Sequence, residues 1–552
     1  MSQYSLHPVE DLGLLKMDFL GLKNLTILEN AVKLVDKVHG IKIDLNNLKA
    51  PDGYMTDPDC QYTPEQIKAF KLFQAGDTTG VFQLESSGMK KYLKQLKPTN
   101  MEDVVAMVAL YRPGPMQFIP DYIARKHGYQ RVEYIHPSLK PVLEKTYGIP
   151  IYQEQIMLLS RAFAGFTRGE ADMLRKAIGK KMLDLLAAQK EKFIAGAQKN
   201  NIDPKLAAEV WEWIMPFASY GFNKSHAASY ARIAYITAFL KHYYPAEFMA
   251  AELNSESNEV ERIAFLVEEC KSMGLEVLAP DINESGDDFT VIDDKTIRFG
   301  LLAIKNVGGA LAEQIVEERK KSGKYNNIVD LLERVESRSL NKKSMEAMIK
   351  AGVFDCFEER GKLLGNLEKL LEFARDQQKT KDNKQQGLFS AGKLPIKKIS
   401  LDDCEPISKT QKLSWEKELL GLYISGHILE KYRKLFERRT TPIASIRKDL
   451  MDKEINYFTA GFEKRIGEKQ KIKIGGTIAK MKKIITKTGK PMIFMELEDL
   501  TDRIEVVVFP SLVETMPEIF QENKIMFVTG RTDMRDDVPK IIADDIEEIM
   551  EV

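Results

Sequence analysis

The stretch from Phe217 to Phe248, FASYGFNKSHAASYARIAYITAFLKHYYPAEF, constrains the chain more than any other. Its first half is polar and reads as a loop ending at Gly221. From Ser225 to Tyr244, alanines and aromatics run without a breaker until Pro245, and this half reads as a helix. The junction carries Asn223, Lys224, Ser225 and His226 in a row. A helix start leaves backbone N–H groups unpaired and holds the positive end of the helix dipole. With Ser225 as the cap, and a lysine and a histidine beside it, such a start suits a phosphate. A well-capped core helix with polar residues at its mouth fits the same four residues, and spacing alone leaves both readings open.

At 552 residues the chain is too long for one core and implies roughly three to five domains. The 81 Lys+Arg are matched by 81 Asp+Glu, so any basic surface for nucleic acid must be local and offset elsewhere. Cys60, Cys270, Cys356 and Cys404 lie far apart with no Cys-x-x-Cys pair, which argues for reduced thiols and against a zinc ribbon. No apolar run approaches a membrane span, and MSQYSLHPVE has no signal-peptide core. A soluble, cytoplasmic protein with no membrane partner is expected.

FNKSHAASYA, followed by a helix and HYYPAEFMAA, resembles the fingers of the bacterial family C replicative polymerases, the DNA polymerase III alpha subunits. Other stretches agree in the same order: LLKMDFLGLKNLTI (Leu14–Ile27), GDTTGVFQLESSGMK (Gly76–Lys90), LYRPGPM (Leu110–Met116), YGIPIYQEQIM (Tyr147–Met157) and RKAIGKK (Arg175–Lys181). The resemblance covers nearly the whole chain and is most specific over Leu14–Ala251. It implies an α+β multidomain protein: mostly helical fingers and tandem helix-hairpin-helix, then a C-terminal β-barrel of the OB-fold type. The expected divisions are 1–45 (end of the palm), 46–290 (fingers), 291–356 (tandem hairpins), 357–455 (clamp-binding region and connector) and 456–552 (OB-fold).

Gly13–Leu20, GLLKMDFL, reads as a short buried strand, and Thr26–His39 as a helix. Asp18 sits between Met17 and Phe19. Buried there, it needs a cation, a metal or several donors; spacing alone favours an Asp at the strand's end that caps the turn at Gly21. The resemblance aligns Asp18 with one of three palm carboxylates that hold two Mg²⁺ ions. One ion activates the primer 3′-hydroxyl and the other holds the triphosphate. The other two carboxylates belong to an Asp-x-Asp strand upstream, and the 17 residues before Asp18 contain none. Asp57-Pro58-Asp59 is downstream and carries a proline, so it is no substitute. The family's phosphoesterase-like domain, thumb and most of the palm are also missing. The expectation is a C-terminal portion, whether a fragment, a split-gene product or a truncated gene, that lacks polymerisation activity alone; a separate N-terminal polymerase half is one partner it could have.

Tyr111-Arg112-Pro113-Gly114-Pro115 is too proline-rich for a helix; it reads as a fixed loop aiming Arg112, or as a structural corner. Arg161–Lys192 holds eight Lys/Arg against four Asp/Glu. A charge run is usually a solvated face, but Arg175, Lys176, Lys180 and Lys181 cluster around Gly179 beside apolar Ala177 and Ile178. By resemblance these four, with Arg112, Asn223, Lys224, Ser225 and His226, bind the dNTP and the primer-template DNA. Tyr152 and Gln153-Glu154-Gln155 fit a fold-organising role as well as a substrate contact.

Ile297–Gly309 followed by Ala310–Lys321 reads as a helix-hairpin-helix. Backbone N–H groups at Gly308-Gly309 approach a DNA phosphate, and Lys305 adds charge. Leu340–Phe354, with Gly352 at its turn, reads either as a second copy or as a packing hairpin. Arg375–Lys393 is polar and reads as a flexible loop. Within it Gln385, Leu388 and Phe389 have the spacing of a sliding-clamp peptide, the apolar pair docking in a pocket. Lys417–Tyr432 reads as a connector. From Asn456 the pattern changes to strands at Lys471–Ala479, Met492–Asp499, Arg503–Phe509 and Ile525–Arg531, with one helix near Pro517: an OB-fold. Lys480, Lys482, Lys483, Lys487 and Phe494 are its single-strand candidates, although Phe494 reads more readily as core.

Two other classes compare with this reading. A non-catalytic DNA- and clamp-binding module fits the chain acting alone. A ligase needs Lys-x-Asp-Gly, and Lys49-Ala50-Pro51-Asp52-Gly53 has one residue too many; a helicase needs a phosphate loop, which is absent. The partners implied are primer-template DNA, dNTP, the sliding clamp and the other subunits of the replisome.

Overall fold

The computed structural model describes residues 8–9, 12–14, 17, 21–46, 48, 64–179, 182–257, 259–336, 340–382, 399–450, 471–486, 489–535 and 538–549. The helical part opens with α1 Lys23–His39, α2 Pro64–Ala75, α3 Ser87–Leu96, α4 Met101–Leu110 and α5 Ile119–Lys126. It continues with α6 Gln153–Ala164, α7 Arg168–Gly179, α8 Leu183–Lys199, α9 Pro204–Tyr220, α10 Lys224–Tyr243, α11 Pro245–Ser255 and α12 Val260–Ser272. A small sheet follows, in the order β1 (Glu276–Leu278), β3 (Thr296–Arg298), β2 (Thr290–Asp293), with β3 parallel to β1 and antiparallel to β2. Then come α13 Gly309–Ser322, α14 Ile328–Arg334, α15 Lys342–Ala351, α16 Arg360–Gly365, α17 Leu367–Asp382, α18 Lys409–Leu420 and α19 Arg433–Arg439.

Helix α10 is the shared wall of two cores. Ala227, Ala231, Ala234 and Ala238 recur at three- and four-residue spacing and face α2 and α4, whose Phe70, Phe73, Val104 and Met107 are fully buried. Alanine lets those helices come close. Ile236 and Leu240, on the other side of α10, enter a second core with α1, α11, α12, the small sheet and α13 to α18. A third core, built from α6 to α9, centres on Phe163, Phe193 and Trp211. Helix α1 therefore does not stand apart from the hairpin region: it lies against α11, where Glu247 Oε1 meets His39 Nε2 at 2.8 Å.

Several expectations need correction. Phe217–Tyr220 is not loop but the last turn of α9; Phe217 is held against Phe118 and Trp213, which outweighs the local polarity. Pro245 does end α10, yet it opens α11 at once, because its missing N–H is no loss at a first helical position. Of the expected strand at Gly13–Leu20, the described Gly13, Leu14 and Met17 are not strand, and Leu14 and Met17 are exposed. No described strand pairs with them, and period-two patterning makes a strand only where a neighbour takes the backbone bonds. The polar run from Arg375 is helical as far as Asp382, continuing α17.

The last domain is a closed barrel in the order β4-β5-β6-β8-β7, as expected for an OB-fold. Its strands are β4 Lys471–Ile485, β5 Pro491–Glu498, β6 Arg503–Val508, β7 Ile525–Arg535 and β8 Val538–Glu548, with α20 Pro510–Thr515 after β6. The long β4 closes it. Its first half pairs with β7 and its second with β5, across a register shift between Ile478 and Lys480. Ile474, Ile493, Met495, Val506, Val528 and Ile541 point inward.

The connector meets the barrel at Glu498. His427 Nε2 lies 3.2 Å from Glu498 Oε1, and Arg503 Nη2 lies 3.1 Å from Oε2. Burial pushes the Glu498 carboxyl up, but the His427 hydrogen bond and the charges of Arg503 and Lys417 outweigh it and bring it down to about 2. A depressed folded pKa contributes stability above the unfolded value of 4.5 and loses it as pH falls toward 2. The expected loss across that window is about 3 kcal/mol. Urea unfolding of Glu498→Gln should show a correspondingly shallower acid limb than the parent; parallel acid limbs would remove this group from the account.

Candidate nucleotide and nucleic-acid interface

The start of α10 is built by crossing chains. Phe222 bridges to Tyr152 in parallel, with Phe222 N–H donating to Ile151 O at 3.1 Å and Gln153 N–H to Phe222 O at 2.9 Å. Gln155 fixes this crossing. Its Oε1 accepts the Ile151 and Tyr152 N–H groups, and its Nε2 donates to Thr146 Oγ1 at 2.8 Å. Gln155 is buried, so of the two roles open to it the structure shows the fold-organising one.

The cap of α10 is Asn223 rather than Ser225: Asn223 Oδ1 accepts the His226 N–H at 2.8 Å. Asparagine at this position reaches the third N–H ahead, and Ser225 is already one residue inside the helix. The Lys224 N–H donates to Glu154 Oε2 at 2.9 Å, so the first turn is not open but partly filled by the chain's own carboxylate. The Lys224 ammonium lies 3.1 Å from Glu102 Oε1 and 5.3 Å from the Tyr152 ring centre. Asn223, Ser225 and His226 are exposed.

Arg112 joins this group. Gly114 turns the loop at a φ of 101°, and the Arg112 guanidinium stacks on Phe222 at 4.2 Å while its Nε donates to Ala109 O at 2.9 Å. Burial pushes its pKa down. Beyond Phe222 the rings continue: His226 at 5.3 Å, Tyr230 at 4.3 Å from His226, then Phe82 at 5.0 Å from Tyr230. Sequence reasoning missed this line of rings, although Phe222, His226 and Tyr230 stand four residues apart, the first two at the helix start. A cationic mouth beside a row of ring faces can hold a polyanion and stack against bases.

Arg175 and Lys176 stand elsewhere, on α7 of the third core. Both pair with Asp172, at 2.8 Å and 2.9 Å, and together they hold that carboxyl below its ordinary value. Lys180, Lys181 and Asp18 lie outside the described residues, as do Gln385, Leu388, Phe389 and Lys487. Among the described residues no group of three His, Cys, Asp or Glu could hold a metal ion, so the expected Mg²⁺ has no set of donors there. Nor is any described helix long and apolar enough to cross a membrane.

The two hairpins differ. In the first, the expected leading helix is only strand β3 and a 3-10 turn at Leu301–Ala303, followed by an exposed Lys305 and a left-handed Asn306 with φ 69°. Gly308 caps α13 without any side-chain bond and has open space around its Cα; Gly309 is equally exposed. In the second, Gly352 is buried at φ 87°, and a Cβ there would meet Arg360 Nη2 at 2.3 Å. Gly352 therefore packs inside the domain, where Gly308 presents open backbone.

On the barrel, Ile493 and Met495 point inward, so Phe494 between them faces out, contrary to the core reading. It lines an open groove of about 720 Å³ with Lys480, Lys482, Ile484, Arg447 and Arg503. Lys483 is exposed.

Comparison with known proteins agrees with this architecture. Residues 24–201 match the family model for the bacterial DNA polymerase III alpha subunit finger domain, 274–363 a helix-hairpin-helix motif, and 472–549 an OB-fold nucleic acid binding domain. The chain is 42% identical to DNA polymerase III subunit alpha of Aquifex aeolicus, over 96% of this chain and 42% of that relative. With the Thermus aquaticus protein of the same name the identity is 37%, over 100% and 43%; with that of Borreliella burgdorferi it is 38%, over 99% and 45%. The chain thus spans less than half the length of these relatives. It belongs to the family of bacterial DNA polymerase III alpha subunits, of which it carries the C-terminal region of finger, helix-hairpin-helix and OB-fold domains.

Proposed function

We propose that this chain is the nucleotide- and DNA-holding part of a DNA-directed DNA polymerase, which transfers a nucleotide from dNTP to a primer 3′ end. The observation that carries the reading is the start of α10, where Asn223, Lys224 and His226 meet Arg112 stacked on Phe222. In this reading Arg112, Asn223, Lys224, Ser225 and His226 hold the triphosphate and the adjoining template-primer, with Arg175, Lys176, Lys180 and Lys181 on the backbone. Lys305, Gly308 and Gly309 grip a phosphate through the free N–H groups of α13. The barrel groove takes single strand against Phe494 and its lysines. Gln385, Leu388 and Phe389 dock on the sliding clamp, which tethers the enzyme among the other replisome subunits. The domain divisions given above belong to the same proposal.

Asp18 is one ligand of the two-Mg²⁺ centre, whose ions would activate the 3′-hydroxyl and neutralise the leaving pyrophosphate. The remaining carboxylates are supplied by the alpha-subunit region outside these residues. Alone, the chain behaves as a DNA- and clamp-binding module.

The test is Mg²⁺-dependent extension of a labelled primer by this chain alone, with Asp18→Ala beside it. No extension is expected from either, together with DNA binding that weakens steeply with salt. Lys224→Ala should lower the salt slope by about 1. Extension that disappears with Asp18→Ala would show a complete metal centre within these residues and overturn the assignment; salt-independent binding would overturn the DNA contacts.

A further inference from the structure

A cavity of about 520 Å³ opens between the start of α1, the loop before α3, and helices α11 and α12. Five charged groups face it. Arg262 Nη2 pairs with Glu85 Oε2 at 2.7 Å, and Glu85 also accepts the Gly80 N–H at 3.1 Å. Lys23 Nζ pairs with Glu256 Oε2 at 2.8 Å. Each cation is thereby matched to a carboxylate, and the fifth group, Glu252, is left over. Glu252 is 3% exposed, and its Oε1 is shut from solvent with no hydrogen-bond partner. The loop closes over it: Gly80 is left-handed at φ 74°, and a Cβ there would stand 3.4 Å from Glu252 Cδ.

A buried carboxylate oxygen without a partner is costly, and the group's complement is a proton or a ligand that brings donors. A divalent ion is a poor fit, since no described trio of His, Cys, Asp or Glu could hold one. Phe82 and Tyr111 form aromatic wall on the same cavity. A planar cation that can lie against a ring while donating along its edge satisfies both features, and a guanidinium does so where a compact ammonium does not.

We propose that this cavity is a binding site for a guanidinium group, which donates to the Glu252 carboxylate and lies against Phe82 and Tyr111. The group has two sources: a free small molecule, or an arginine side chain of the alpha-subunit region outside these 552 residues. The site stands on its own geometry and does not depend on the polymerase reading. Burial raises the Glu252 carboxyl to about 7, with Arg262 and Lys23 pulling down and Glu85 and Glu256 pushing up. A cation then binds the ionised form, so affinity rises with pH and binding near neutrality releases a proton.

The probe is ethylguanidinium chloride, titrated calorimetrically into the 552-residue chain at matched ionic strength, with ethylammonium chloride as control. Expected are saturable one-site binding at pH 8, about tenfold weaker binding at pH 6, and loss of binding in the near-isosteric Glu252→Gln. Titration in two buffers of different ionisation enthalpy should reveal proton release near pH 7, a readout that needs no variant. Absence of saturable binding, binding unchanged by Glu252→Gln, or binding without proton release would each overturn the proposal. Adding the remaining alpha-subunit region as a separate polypeptide separates the sources: displacement of the probe marks an arginine side chain as the occupant, and independent binding marks a free ligand.

Discussion

Lys241→Met should lower the free energy of unfolding by about 3–5 kcal/mol, the cost of breaking a buried ion pair from one side. The side chain of Lys241 is 1% exposed, and its Nζ makes three bonds: to Asp77 O at 2.9 Å, Thr79 O at 2.9 Å and Glu269 Oε1 at 2.6 Å. Methionine fills the same space and donates nothing. Two carbonyls and a partly buried carboxylate would lose their shared donor. Burial pushes Glu269 up, and Lys241 with its neighbours holds it below its ordinary value. The bonds pin the loop Asp77–Thr79 onto α10, and the Phe82 N–H, donating to Thr237 Oγ1 at 3.2 Å, is the second tie. Urea unfolding measures the loss, and native-state hydrogen exchange should show the Gly76–Ser86 loop opening first. A loss below about 1 kcal/mol, the range of an exposed pair, would mean that the ammonium is not the clamp.

A paired substitution decides which hairpin meets DNA. Gly352→Ala should cost about 2–4 kcal/mol, because it combines a left-handed backbone with a clash in a packed site. Its Cβ would strike Arg360 Nη2, and Arg360 is already committed to Asp355 at 2.7 Å and to Lys350 O at 2.8 Å. Gly308→Ala should leave stability nearly unchanged, since Gly308 has φ −86° and open space. Instead, the added methyl stands where a phosphate would approach, and DNA affinity should fall several-fold. Thermal unfolding and filter binding read the two effects separately. A stable Gly352→Ala protein, or a Gly308→Ala protein with full affinity, would reverse the division of labour drawn between the hairpins.

What was legible in the sequence followed strong local signals. The alanine stripe of α10 and the proline at its end marked a helix correctly to within a residue. The alternation after Lys471 gave a barrel, because both neighbours of β4 come from the same domain. What failed depended on distant partners. Whether Gly13–Leu20 pairs as a strand depends on a neighbouring strand, and periodicity does not report one. Phe217 joined α9 through Phe118, about a hundred residues away, a contact that polarity along the chain does not encode. The candidate site shows the same division. Asn223, Lys224 and His226 were visible as a run, while Glu154 and Glu102, which reach Lys224 from other elements, were not.

The carboxylate of Glu154 on the Lys224 amide has a further consequence. Any anion that docks at the mouth of α10 meets a competitor that is tethered, always present and effectively millimolar or more concentrated. A chloride or a single free phosphate brings one contact and does not outbid it. A chain of linked phosphates brings several charges at once, so displacing Glu154 is a small part of what it gains. If the proposed site takes an anion there, Glu154 sets the threshold: a polyanion long enough to span the neighbouring cations is expected to displace it, and a solitary anion is not.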